Sequence, residues 1–248
     1  MNHPPRTNAL AWLRGLLFNF WMAGSALALG VVGLPLVFMS ERGALWAIRH
    51  WCRLNLAVLR ILCGVRVEVR GMDKLPSGGA LIAAKHQGML DTIVPFALFP
   101  APSIVLKKEL LSIPIYGWYA LRSGMIPIDR AGAAKALRAM IREVRQRFDD
   151  GRQVLIFPEG TRSAPGDAPD YKPGIAALFK ELDVPCTPVA TNSGLFWPAK
   201  GLARHPGVAV FEVLEPIPPG LKRAAFMREL ETRIEDASQR LLDESTPR

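Results

Sequence analysis

Between Gly15 and Ser40 the chain carries no charged side chain, through the run GLLFNFWMAGSALALGVVGLPLVFMS. No other feature restricts the fold as much. A stretch of that length can cross a hydrocarbon core, which needs about 20 residues. It exceeds the apolar region of a cleavable signal peptide, about 7–15 residues. Gly24, Gly30, Gly33 and Pro35 offer places where the segment breaks into a shallow re-entrant hairpin instead. A buried core helix is rarely apolar on every side over such a length. The run therefore points to a membrane-binding segment, and crossing and re-entry both stay open.

The charge distribution agrees. The formal net charge is +9 although half of the residues are hydrophobic, and a basic nucleic-acid binder is normally more polar. Within residues 1–70, eight Arg face only Glu41 and Glu68, whereas from Lys222 onward six basic and six acidic residues cancel. Positive charge thus travels with the apolar part of the chain, which suits an anionic lipid surface and argues against nucleic acid. The segment from Gly43 to Gly64 places Arg49, Arg53 and Arg60, in line with Arg42, along one predicted helical face. Trp46, Trp51, Leu54 and Ile61 supply apolar area on the same helix. This pattern predicts an interfacial helix with its arginines at lipid headgroups; a solvated arginine face is the alternative. Arginine is denser after the apolar run than before it, which places the rest of the chain on the cytoplasmic side of the inner membrane. Cys52, Cys63 and Cys186 are odd in number and lack C-x-x-C spacing, so they are expected to be packing residues in a reducing compartment.

From Val65 onward, short apolar runs alternate with helical patterns. Strands are expected at 65–69, 80–84, 103–107, 125–128, 153–157, 187–191 and 208–214. Helices are expected at 88–99, 110–122, 131–149, 173–182 and 222–243. The expected fold is an α/β domain over 65–248, a mixed sheet flanked by helices. It follows membrane-anchoring helices over 1–64. Ligands of such sheets bind on the loops where strands end.

Four of those loops carry chemistry. In KHQGMLD, His86 leaves a strand and Asp91 falls in the first turn of the next helix, with Gly88 allowing a tight bend between them. The carboxylate can then hold one imidazole nitrogen and leave the other as a proton acceptor. Neither H-E-x-x-H nor a Cys/His cluster is present, so no metal is expected. In FPEGTRS, Glu159, Gly160, Thr161 and Arg162 offer an acceptor, a turn, a hydroxyl and a cationic fork able to grip phosphate. LKKEL puts Lys107 beyond a third strand, and IPIDR puts Arg130 beyond a fourth. TNSGL lacks the first glycine of a nucleophile elbow, and no P-loop or G-x-G-x-x-G occurs. A base without a protein nucleophile suits direct transfer to a substrate hydroxyl.

Residues 65–215 resemble the glycerolipid acyltransferases of the lysophosphatidate acyltransferase type. Four ordered blocks carry the resemblance: HQGMLD, GMIPIDR, FPEGTRS and VPCTPV. It implies that His86 takes the proton of the sn-2 hydroxyl of a lysophospholipid acceptor and that Asp91 fixes the imidazole. It further implies that Arg130 and Arg162, with Lys107, hold the phosphate, while Glu159, Gly160 and Thr161 shape the acceptor site. The donor is acyl-CoA or acyl-carrier protein, and no cofactor is required. Pro127 and Lys85 depart from the family's usual residues, an aromatic or bulky one and Asn, which leaves acceptor preference open. A lyso-ornithine lipid is the alternative acceptor. A non-catalytic membrane lipid-binding protein and a soluble hydrolase are the competing classes.

Overall fold

The computed structural model describes residues 8–129 and 133–245, and in it each of the seven short apolar runs is a strand. They are β1 (Val65–Arg70), β2 (Ala80–Ala84), β3 (Pro102–Lys107), β4 (Ile126–Ile128), β5 (Gln153–Ile156), β6 (Cys186–Thr191) and β7 (Gly207–Val213). They form one sheet in the order β1-β7-β6-β2-β5-β3-β4. Neighbours from β6 to β4 are parallel, whereas β7 runs antiparallel to β6 and carries β1 parallel to itself. The sheet is mixed, as expected. The central strand β2, ALIAA, is buried at every position, which is why it reads as continuously apolar. At the edge, β1 alternates in VRVEVR and turns Arg66 outward.

Helices α1 (Ala9–Val32), α2 (Leu34–Met39) and α3 (Glu41–Cys63) precede the sheet; α4 (Leu90–Leu98), α5 (Tyr116–Arg122), α6 (Ala133–Asp149), α7 (Gly174–Leu182) and α8 (Arg223–Glu244) follow. One sheet face, through Leu81, Ala83, Val154 and Ile156, packs on α6, α7 and α8. Phe179 of α7 stacks on Phe226 of α8, centroids 3.8 Å apart. On the opposite face, Ala80, Ile82, Ile104 and Leu155 meet Phe96 of α4 and Ala120 of α5. Beyond α4 lies a cluster that joins Phe18 of α1 and Leu59 of α3 to Ile93, Trp197 and Phe211.

The apolar N-terminal run forms a helix that starts earlier than its uncharged part and ends sooner. Asn8 caps α1, its Oδ1 accepting from Ala11 N at 2.7 Å, and the helix stops at Gly33, with Pro35 in the first turn of α2. A side chain at Gly33 would collide with the Tyr119 hydroxyl. Gly24 and Gly30 stay helical, so the hairpin break falls at Gly33 alone among the expected breakers. Helix α1 is long and apolar enough to cross a membrane, yet Ala11, Gly15, Phe18 and Ser25 are buried along one face. Asn19 accepts from Arg204 at 3.0 Å and Ser25 from Trp51 at 3.2 Å. The helix is therefore laid along the molecule with its other faces exposed.

Two expectations need correction. The stretch 110–122 is not one helix: Lys108–Ser112 is a 3-10 turn and α5 begins only at Tyr116. Between them Ile115 sits at φ +66°, closed by Tyr116 N donating to Pro114 O at 2.7 Å. A β-branched residue in that region stores about 1–3 kcal/mol of strain, which the packing of Ile115 against Gly30 of α1 sustains. The arginine stripe of α3 is also put to a different use. Arg49 donates to the carbonyls of Phe96, Phe99 and Pro100, and Arg53 to Ala97 at 3.0 Å. These are open carbonyls at the C-terminal end of α4, where cations are favoured. Arg42, Arg53 and Arg60 remain exposed.

All three cysteines are buried, and burial pushes the Cys186 thiol well above its ordinary value. A thiol reagent such as Ellman's is expected to react with none of them in the native protein and with all three after denaturation. Rapid native labelling would contradict their role as core packing.

Candidate active site

Strands β6, β2, β5, β3 and β4 are parallel, so their C-terminal ends open on one sheet edge. The loops bearing His86, Glu159–Arg162 and Lys107 therefore share that edge by topology. His86 Nδ1 lies 3.0 Å from Asp91 Oδ2. The same oxygen accepts from Gln87 N at 2.5 Å and Gly88 N at 2.8 Å, and Oδ1 accepts from the Ser193 hydroxyl. Asp91 is thus a buried carboxylate with four donors, each charge-assisted bond contributing about 1.5–3 kcal/mol. An acceptor on Nδ1 requires the proton there, which leaves Nε2 with a free lone pair. Phe157 fixes the ring plane by stacking on the imidazole, centroids 4.0 Å apart at 17°.

Gly88 lies in the expected bend between His86 and α4. It stands outside the positive-φ residues, and its missing side chain also makes room for the Trp197 carbonyl. That contact presses the His86 loop against the segment where Phe18 of α1 meets Trp197 edge-on, at 5.2 Å.

Beneath the histidine lies a buried charge network. Lys85 and Glu159 are each 3% exposed and 3.2 Å apart. Lys85 Nζ also donates to both oxygens of Glu235 on α8, at 2.8 and 2.9 Å, and the Tyr171 hydroxyl donates to Glu235 at 2.9 Å. The other oxygen of Glu159 accepts from the Ser163 hydroxyl, and Ser163 N donates to His86 O at 2.9 Å. The two loops are therefore bonded into one unit. Gly160, at φ +67°, closes the FPEG turn, its N–H donating to Phe157 O at 3.0 Å.

The remaining expected residues are placed as follows. Arg162 is exposed, lies 3.6 Å from Met89 Sδ beside the His86 loop, and has no ion pair among the described residues. Thr161 is exposed next to it. Lys107 is exposed and pairs with Glu109 at 3.3 Å. Arg130 lies outside the described residues. Sequence reasoning missed Ser193, Phe157, Glu235 and Tyr171 as parts of the site. In the sequence Lys85 reads only as a departure from the family's usual residue. Ser193 stands within TNSGL, where no local spacing points to a donor for Asp91.

The sequence profile named Acyltransferase matches residues 66–192, from β1 to just past β6. The chain is 33% identical over 198 residues to the 1-acyl-sn-glycerol-3-phosphate acyltransferase of Pseudomonas aeruginosa, 79% of this chain and 77% of that one. It is 30% identical over 177 residues to the enzyme of the same name from Helicobacter pylori, covering 70% and 73%. The crystal structure of the 1-acyl-sn-glycerophosphate acyltransferase of Thermotoga maritima shares the fold, with a TM-score of 0.76, 22% identity and coverage of 92% and 95%. The matched segment contains the His86–Asp91 pair and the Glu159 loop that the fold brings to one edge. By profile and by relatives alike, the chain belongs to the acyltransferase family.

Proposed function

We propose that this protein transfers a fatty acyl group from a thioester donor to the sn-2 hydroxyl of lysophosphatidate, giving phosphatidate for phospholipid synthesis. The observation that carries the reading is His86, tied through Nδ1 to buried Asp91. Its free Nε2 sits on the sheet edge that also receives Arg162. The relatives named for this acceptor support the substrate.

His86 Nε2 takes the proton as the hydroxyl oxygen attacks the thioester carbonyl. Collapse of the tetrahedral intermediate breaks the carbon–sulfur bond, and the imidazolium returns its proton to the departing thiolate. Asp91 stabilises the imidazolium formed between these steps. Arg162, without a carboxylate partner among the described residues, is free to grip the acceptor's phosphate bidentately; Arg130, two residues beyond β4, is assigned the same task, with Lys107 at the rim. Glu159, Gly160 and Thr161 shape the glycerol site. The thioester is already activated, so the transfer draws on no further cofactor. The exposed apolar faces of α1 hold the enzyme on the cytoplasmic face of the inner membrane, where its acceptor resides.

Purified protein in detergent, offered acyl-CoA or acyl-carrier protein with lysophosphatidate or lyso-ornithine lipid, tests the reading. Multiple turnovers to phosphatidate are expected, and the donor consumed identifies the carrier. Transfer to the aminolipid alone would replace the acceptor; thioester loss without any acceptor would indicate a hydrolase.

A further inference from the structure

Of the eight large apolar side chains exposed among the described residues from 65 onward, five lie between Leu110 and Leu121. They are Leu110, Ile113, Tyr116, Trp118 and Leu121, the last two 50% and 53% exposed. A soluble surface scatters such residues; a contiguous group marks an interaction site. The segment is built to present them. The turn at Ile115 sends that one side chain inward against Gly30 of α1, while its neighbours at 113, 116 and 118 face out.

The patch is continuous with the N-terminal apolar surface. Helix α5 packs on α2 and α3, and the Tyr119 hydroxyl donates to Gly30 O at 3.0 Å. The Trp118 ring lies 6.4 Å from Phe38. Next to Phe38, Met39 is 78% exposed. Charge is complementary to an anionic surface: Arg122 stands 5.9 Å over the Phe38 ring and Arg42 is exposed at the start of α3. The adjacent Glu41 is neutralised by Arg152 and Arg147. Apolar area, amphipathic Trp and Tyr, and arginines without a carboxylate partner among the described residues together describe the headgroup boundary of a bilayer.

We propose that residues 108–122 form a second membrane contact, docking the α/β domain itself onto an anionic bilayer. This deepens the membrane part of the proposed function and rests on it. The segment leaves β3 directly after Lys107, at the edge that bears His86. Its docking holds that edge against the bilayer, so a lipid acceptor enters the site without passing through water.

The test uses the full chain with Trp118→Glu and Leu121→Glu combined, and sedimentation with vesicles of phosphatidylglycerol and phosphatidylcholine. At least tenfold weaker binding than wild type is expected. Acyl transfer to a short-chain, water-soluble lysophosphatidate in detergent should be unchanged. In a second measurement, Trp118→Cys carries acrylodan, the native thiols being buried; its emission should shift to the blue on anionic vesicles, and a label at Glu229→Cys on α8 should not. Wild-type vesicle binding by the double variant, or an unshifted label at 118, would overturn the proposal. So would a dimer in solution that the substitutions dissolve, since the patch would then be covered by a second copy. Loss of transfer in detergent by wild type itself would strike the proposed function and leave the docking surface to be judged by the vesicles.

Discussion

His86→Ala is expected to lower acyl transfer about 10²–10⁴-fold while leaving the protein folded. The two halves of that statement rest on different contacts. Activity falls because no other described group on the sheet edge pairs a free imidazole nitrogen with a buried carboxylate. Stability is kept because Asp91 still accepts from Gln87 N, Gly88 N and the Ser193 hydroxyl, so truncating the imidazole leaves no buried charge unsolvated. Turnover measured beside thermal unfolding in the same detergent separates the effects. Retention of more than a tenth of the activity would move the base elsewhere. Equal loss of activity and of folded protein would make His86 a structural residue.

Lys85→Met is expected to do the reverse in order of cause: destabilise first, and lose activity through the fold. Methionine keeps the volume and removes the charge, leaving Glu159 and Glu235 side by side without their shared cation. Breaking a buried ion pair from one side typically costs about 3–5 kcal/mol. Glu159 is fully enclosed and dominates that penalty; Glu235, one quarter exposed, is partly solvated and contributes less. Adding Glu235→Gln should recover part of the loss, because it removes the repulsion between the two carboxylates. Denaturant unfolding of wild type, single and double variants measures the coupling. A single variant within about 1 kcal/mol of wild type would show that Lys85 is solvated in practice and that the network does not hold the loops.

The two variants also show how far the sequence carried. His86 and Asp91 are five residues apart, and the pairing follows from a strand end, a turn and a helix start, all local features. The same holds for the seven strands: β2 and β5 are short apolar runs, and α8 repeats its apolar positions from Phe226 to Leu241. Periodicity reports what each segment buries, and four ordered blocks, HQGMLD to VPCTPV, report the family. Both are properties of neighbours along the chain.

What the tertiary structure decided depends on residues far apart. Glu235 meets Lys85 across 150 positions and Ser193 meets Asp91 across 102, partners that no spacing rule connects. The sheet order, which inserts β5 between β2 and β3, is what puts the Glu159 loop under His86. Helix α3 carries arginines at helical spacing, but whether they face lipid or cap α4 depends on where α4 ends. The uncharged run announced an apolar surface; that α1 lies along the domain, and that the surface continues through Trp118, follows from packing against Trp197, Ile115 and Tyr119. Apolar character is written in each residue, whereas which apolar face stays uncovered is settled only when all the others have found their partners.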